Sequence, residues 1–163
     1  LLSRYTVTYI KTNQWYKFFN DFETDRATNA NLPEDDPHFD QDFSNYFLSC
    51  NNSPDSEQSL RIRHKILLEK FFLKFNDTEF KDSQRDFSES QKNAIYLLNE
   101  KHCQGVKGFT CPSNKKRLPF EDCEFDHIKE HNGGGKTTVS NGQVLCIPCH
   151  NYKTQTYRAE IRR

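Results

Sequence analysis

Residues 123–154 contain an Asp126-His127 pair, a Gly133-Gly134-Gly135 run, an Asn141-Gly142 pair and a Cys146-Ile147-Pro148-Cys149-His150 segment. Asp126 offers a carboxylate, which suits a hard cation such as Mg²⁺. His127 offers an imidazole whose ordinary pKa lets it take a proton from water near neutral pH. Cys146 and Cys149 have the spacing at which a tight turn delivers two thiolates to one tetrahedral ion. His150 directly follows the second of them, so the knuckle would fix its position. A cation that stabilises charge on a leaving oxygen, beside a base that activates water, is the equipment for one-metal cleavage of a phosphodiester.

Taken singly these residues are ordinary. Asp-His pairs are common on surfaces, and neighbours on a strand point to opposite faces, so a strand end or bend must bring both to one site. Asn before Gly is a turn former. A Cys-x-x-Cys can be redox-active, but the downstream His150-Asn151-Tyr152-Lys153 and the lack of a thioredoxin-like pattern argue for metal.

Together, Asp126-His127, Gly134-Gly135, Asn141-Gly142-Gln143, Leu145-Cys146-x-x-Cys149-His150 and Lys153 resemble the HNH, or His-Me finger, endonucleases over roughly residues 108–155. The resemblance implies that His127 is the general base, that Asp126 and His150 hold one catalytic divalent cation (Mg²⁺ or Mn²⁺), and that Asn141 braces the loop and orients His127. It implies a DNA substrate, expected to be double-stranded, and a nick with 5′-phosphate and 3′-hydroxyl ends. The chain departs from the family at the zinc knuckle. Where a second Cys-x-x-Cys is usual, it has Cys111-Pro112-Ser113-Asn114. Cys111, Cys146 and Cys149 are expected to bind a structural zinc. Cys103 or Cys123 would be the fourth ligand, with Cys103 preferred because Cys123 adjoins the catalytic strand and is equally a buried apolar filler. Loss of the zinc altogether is the other possibility.

These residues need elements to position them. Residues 107–126, rich in Gly, Pro and short apolar groups, suggest short strands. The three glycines require a loop. Val144-Leu145 suggests a short strand or turn, and a helix is expected from Pro148, so the motif sits on a ββα unit. Upstream, Ile10, Trp15, Phe18, Phe19 and Phe22 fit a helical face. Residues 23–42 read as a polar loop and Asp40–Cys50 as a short helix. Leu60–Phe75 is an amphipathic helix with Leu60, Ile62, Ile66, Leu67, Phe71, Phe72 and Phe75 inward. Ser88-Glu89-Ser90-Gln91 reads as a capping box that opens a helix to about Lys101. The expected fold class is α+β: a mostly helical N-terminal region (1–100, a platform or extension) followed by a ββα-metal unit with a zinc knuckle (101–163).

Charge separates the same two parts. Residues 1–100 carry 12 Lys/Arg against 17 Asp/Glu, and residues 101–163 carry 11 against 6, so the basic half is the half with the motif. That suits a phosphate-bearing partner. Lys129, Lys136 and Lys153 are the candidate DNA contacts nearest the motif, with Lys115, Lys116, Arg117, Arg158, Arg162 and Arg163 as further members of that surface. His131 is expected to be a plain loop residue.

No apolar run approaches the roughly 20 residues that span a bilayer, and Leu1-Leu2-Ser3-Arg4 lacks the order of a secretion signal. Of six cysteines, five lie between Cys103 and Cys149. Metal binding in a cytoplasmic setting is therefore expected in preference to disulfides. The chain has no Met and is expected to be a piece of a longer protein. Residues 80–88 loosely resemble the stretch preceding HNH modules in bacterial restriction and anti-phage proteins, which often carry an N-terminal nucleotide-hydrolysing domain. That implies a possible regulatory domain outside this chain. The rival reading is a non-catalytic zinc-binding module that grips nucleic acid or protein. The sequence does not fix the oligomeric state.

Overall fold

A computed structural model describes residues 12–78, 84–114 and 116–162. Leu1-Leu2-Ser3-Arg4, Ile10, residues 80–83, Lys115 and Arg163, all invoked above, lie outside them. Four helices come first: α1 (Thr12–Asn29), α2 (Gln41–Asn51), α3 (Glu57–Lys74) and α4 (Glu89–Leu98). A two-stranded antiparallel sheet follows, β1 (Cys123–His127) against β2 (Gly142–Cys146), and then α5 (Ile147–Glu160). The α+β class and the helix-rich N-terminal half are as expected.

The caps explain where the helices start. Asp40 accepts from the Asp42 amide at the head of α2, and Ser56 from the Ser59 amide at the head of α3. The Ser88–Gln91 capping box is formed in both directions: Ser88 N donates to Gln91 Oε1 at 3.0 Å and Gln91 N to Ser88 Oγ at 3.3 Å. α1 corrects the sequence reading. It continues to Asn29, through seven residues assigned to the polar loop. Its last two turns face solvent and hold themselves by local contacts: an Arg26–Glu23 ion pair and the Thr24 and Thr28 hydroxyls bonded back four residues. Apolar periodicity cannot register such turns. The helix ends where buried Asn29 turns its amide to Asp40, donating to its carbonyl and accepting from its N–H.

Among the described residues of 107–126, β1 supplies the one strand and Phe120–Asp122 form a 3-10 turn. The rest is irregular, with isolated bridges at Val106–Phe109 and His102–Arg117. Pro112 and Pro119 interrupt it, since neither can donate to a ladder. Leu60 is also exposed, contrary to expectation.

The main core joins the two halves. Phe18 of α1 and Leu68, Phe71 and Phe72 of α3 pack with Phe87, Ala94 and Ile95, and these with Val139 and Val144 beside and within β2. Trp15 stacks on Phe71 with ring centres 5.2 Å apart. Gly142 has no room for a side chain: a Cβ there would lie 2.2 Å from Ile95 Cδ1. The helical region is thus seated directly against the back of the ββα sheet.

Candidate functional site

β1 runs toward the glycine loop with Cys123 opposite Cys146, Asp126 opposite Gln143 and His127 opposite Gly142. His127 is therefore the last paired residue, where the alternation of faces ends. Asp126, His127 and His150 all line one cavity of about 620 Å³, between β1, α5 and the 85–87 segment that leads into α4. Its basic residues Arg85, Lys92 and Arg158 are interleaved with Asp86, Glu124 and Glu130. His131, a residue of the same loop, lines it too, with its ring centre 5.8 Å from that of His127.

His127 is buried. Its ring stacks on Phe87 with centres 4.5 Å apart, and Nε2 lies 3.0 Å from Thr137 Oγ1. Burial pushes its pKa below 6.5, with His131 and Lys153 adding to the effect and Asp126 and Glu130 opposing it. The imidazole is therefore held in the neutral form that can accept a proton.

Asn141 closes the loop between the strands. Its side chain donates to the carbonyls of Lys129 at 3.0 Å and Lys136 at 2.8 Å and accepts from the Lys129 amide at 2.9 Å. Its own carbonyl accepts from Ile128 N at 2.7 Å. One side chain thus fastens both ends of the 129–136 segment, just after His127. Gly135 is packed against the same segment, where a Cβ would lie 1.9 Å from Lys129 O.

Lys153 departs from the expectation of a DNA-facing charge. It is largely buried, and Nζ donates to Asp126 Oδ2, Glu130 Oε1 and the His127 carbonyl, each at 2.5 Å. Burial works against its charge, but the two carboxylates outweigh it and raise its pKa. A long basic side chain on α5 meets a carboxylate of β1 because α5 packs across that face, a proximity the sequence does not reveal. Lys129 and Lys136 are exposed. Asp126 and His150 line the same cavity, and a carboxylate and an imidazole are donor types that divalent cations accept.

The sulfurs of Cys103, Cys111, Cys146 and Cys149 lie within 4.8 Å of one another. Zinc–sulfur bonds of about 2.3 Å in a tetrahedron set sulfur–sulfur edges of about 3.8 Å, and Cys111 and Cys146 are 3.8 Å apart. The donor set and spacing fit zinc. Cys103 also accepts backbone N–H groups from Gly105 at 3.4 Å and Cys146 at 3.2 Å. Burial opposes ionisation of Cys111, yet hydrogen bonding to Ser113 and to the neighbouring sulfurs brings its pKa down to about 6. Cys123 stays outside the group. Its thiol donates to Pro119 O at 3.1 Å, and burial raises its pKa to about 11. The cluster anchors the head of α5, because Cys146 is the N-cap and Cys149 and His150 lie in the first turn.

Sequence reasoning missed Phe87, Thr137, Glu130 and the bond that Gln91 Nε2 donates to the Thr137 carbonyl. Gln91 could be found only as a cap, and a threonine after three glycines carries no signal.

No curated protein and no solved structure matches the chain. With the cavity, the loop brace and the sulfur cluster described, residues 108–156 of the chain match the family model of the HNH endonuclease.

Proposed function

We propose that this protein is a metal-dependent endonuclease that nicks or cleaves double-stranded DNA. Residues 101–163 are the catalytic unit and residues 1–100 its helical platform. The observation that carries the proposal is the convergence of Asp126, His127 and His150 on one cavity within the matched segment. His127, held neutral by burial, takes the proton from the attacking water. Asn141 holds the loop that follows His127 and so keeps the ring in place. Asp126 and His150 hold the divalent cation. When bound, that ion acts as a Lewis acid on the charge that develops at the scissile phosphate. A cation held there would take over from the Lys153 ammonium at the Asp126 carboxylate, and Glu130 would keep its own ion pair with Lys153. Lys129 and Lys136 contact DNA phosphates. Zinc on Cys103, Cys111, Cys146 and Cys149 sets the start of α5 and hence the position of His150. Bacterial restriction or phage defence, in a cytoplasmic setting and under a regulatory domain of a longer chain, is the role we propose for such a unit.

The Lys153–Asp126 ion pair favours a second reading, a non-catalytic zinc-binding module, because it already neutralises the carboxylate. Plasmid nicking separates the two. Wild type should convert supercoiled plasmid to open circles with Mg²⁺ or Mn²⁺, and His127→Ala should not. Equal inactivity of both across metals would favour the binding module.

A further inference from the structure

Thr137 is held from two sides, by the segment that leads into α4 and by α4 itself. Its hydroxyl lies 2.6 Å from the carbonyl oxygen of Gln84, and its own carbonyl accepts from Gln91 Nε2 at 3.1 Å. The same hydroxyl oxygen lies 3.0 Å from His127 Nε2. A hydroxyl has one proton, and a carbonyl oxygen can only accept. Two oxygens 2.6 Å apart with no proton between them would repel, so the Thr137 proton lies on the line to Gln84. The hydroxyl can then only accept from His127, and Nε2 must carry a hydrogen.

We infer that the Gln84 carbonyl, acting through the Thr137 hydroxyl, fixes His127 as the Nε2–H tautomer and leaves Nδ1 as the ring nitrogen that takes a proton. The inference rests on the reading of His127 as the base. It adds Thr137 as a positioning residue and makes the upstream half part of the site. Phe87, stacked on the ring, fixes its plane, while Gln91, wholly buried, fixes the Thr137 backbone. The acceptor that sets the tautomer is a main-chain group, so no side-chain change at Gln84 removes it. The hydroxyl of Thr137 is the one element of the relay open to substitution.

Long-range ¹H–¹⁵N spectra of the ring, recorded at pH 8 on the zinc-loaded protein without added Mg²⁺, Mn²⁺ or DNA, test this directly. Wild type should show a protonated Nε2 and an unprotonated Nδ1. Thr137→Val should lose that preference, and Thr137→Ser should keep it. Nicking should fall by about 10–100-fold in Thr137→Val, the usual effect of losing an orienting partner, with KM little changed, and should recover in Thr137→Ser. A wild-type ring protonated at Nδ1 would overturn the inference, even if Thr137→Val failed to fold. An unchanged tautomer and rate in a folded Thr137→Val would overturn it as well. A wild type with the expected spectra but no nicking would instead defeat the nuclease reading and leave the tautomer lock standing.

Discussion

The three consecutive glycines of the loop should respond to alanine in three different ways. Gly133 has a backbone any residue can adopt, and a Cβ there would meet nothing closer than Glu130 Cβ and Tyr157 Oη at 4.0 Å. Gly133→Ala should therefore be neutral, or stabilising by about 0.4–1 kcal/mol through a stiffer unfolded chain. Gly134 has space but a left-handed φ of 79°, and Ala there should cost about 1–2 kcal/mol. At Gly135 the new Cβ would lie 1.9 Å from Lys129 O and 2.9 Å from Glu130 O, both backbone atoms that cannot swing aside. Gly135→Ala should cost about 3 kcal/mol, the upper end of overpacking, out of a total of about 5–15 kcal/mol for a domain. Urea melts of the three variants give the order. Nicking should decline in the same order, because Gly135 leads directly into Lys136 and Thr137. If Gly135→Ala melted together with Gly133→Ala, the close packing of this loop onto residues 129–130, and its role in holding the site, would be refuted.

Lys153→Met leaves Asp126 and Glu130 without their ammonium, and breaking a buried pair from one side costs about 3 kcal/mol or more. Mn²⁺ should restore much of the lost melting temperature, and a variant indifferent to Mn²⁺ would speak against cation binding there. Cys103→Ser should lower bound zinc and melting temperature together, since structural zinc contributes about 10–16 kcal/mol of binding free energy in small domains. Cys123→Ser should leave zinc content unchanged, and the reverse pattern would misplace the fourth ligand. The lowered pKa of His127 sets the pH dependence. A base with its pKa lowered is still largely unprotonated at pH 6.5 and takes up its proton only at lower pH, so the acid limb of kcat/KM should lie below that value. The metal-free protein should keep the associated stability above pH 6.5 and lose it as pH falls toward the folded-state pKa. An acid limb above pH 6.5 would contradict the burial argument.

Much of this was legible in the sequence because it depends on local spacing. The Ser88–Gln91 box, the face of α3 through Phe71 and Phe72, and the Cys146-x-x-Cys149 turn all depend on residues within one or two helical turns of each other. The choice of Cys103 over Cys123 rests on little but chain position, and the structure gathers the Cys103 sulfur with the other three. What was illegible depends on contacts across the chain. Lys153 reads as a surface cation until α5 is seen lying across Asp126. Thr137 has no pattern of its own, and its importance comes from Gln84, 53 residues earlier. The last turns of α1 were missed because polar helix and polar loop look alike when no face is buried. The division at residue 100 followed composition, while the core, which joins Phe72 to Val144, ignores it.

The account depends above all on where the divalent ion sits. Anomalous scattering from crystals grown with Mn²⁺ and a short DNA duplex measures that directly. The account predicts a manganese peak bonded to Asp126 and His150, with Lys153 withdrawn from Asp126 and the His127 ring facing the bound phosphate. A Lys153 still seated on Asp126, with no manganese in the cavity beside bound DNA, would contradict it.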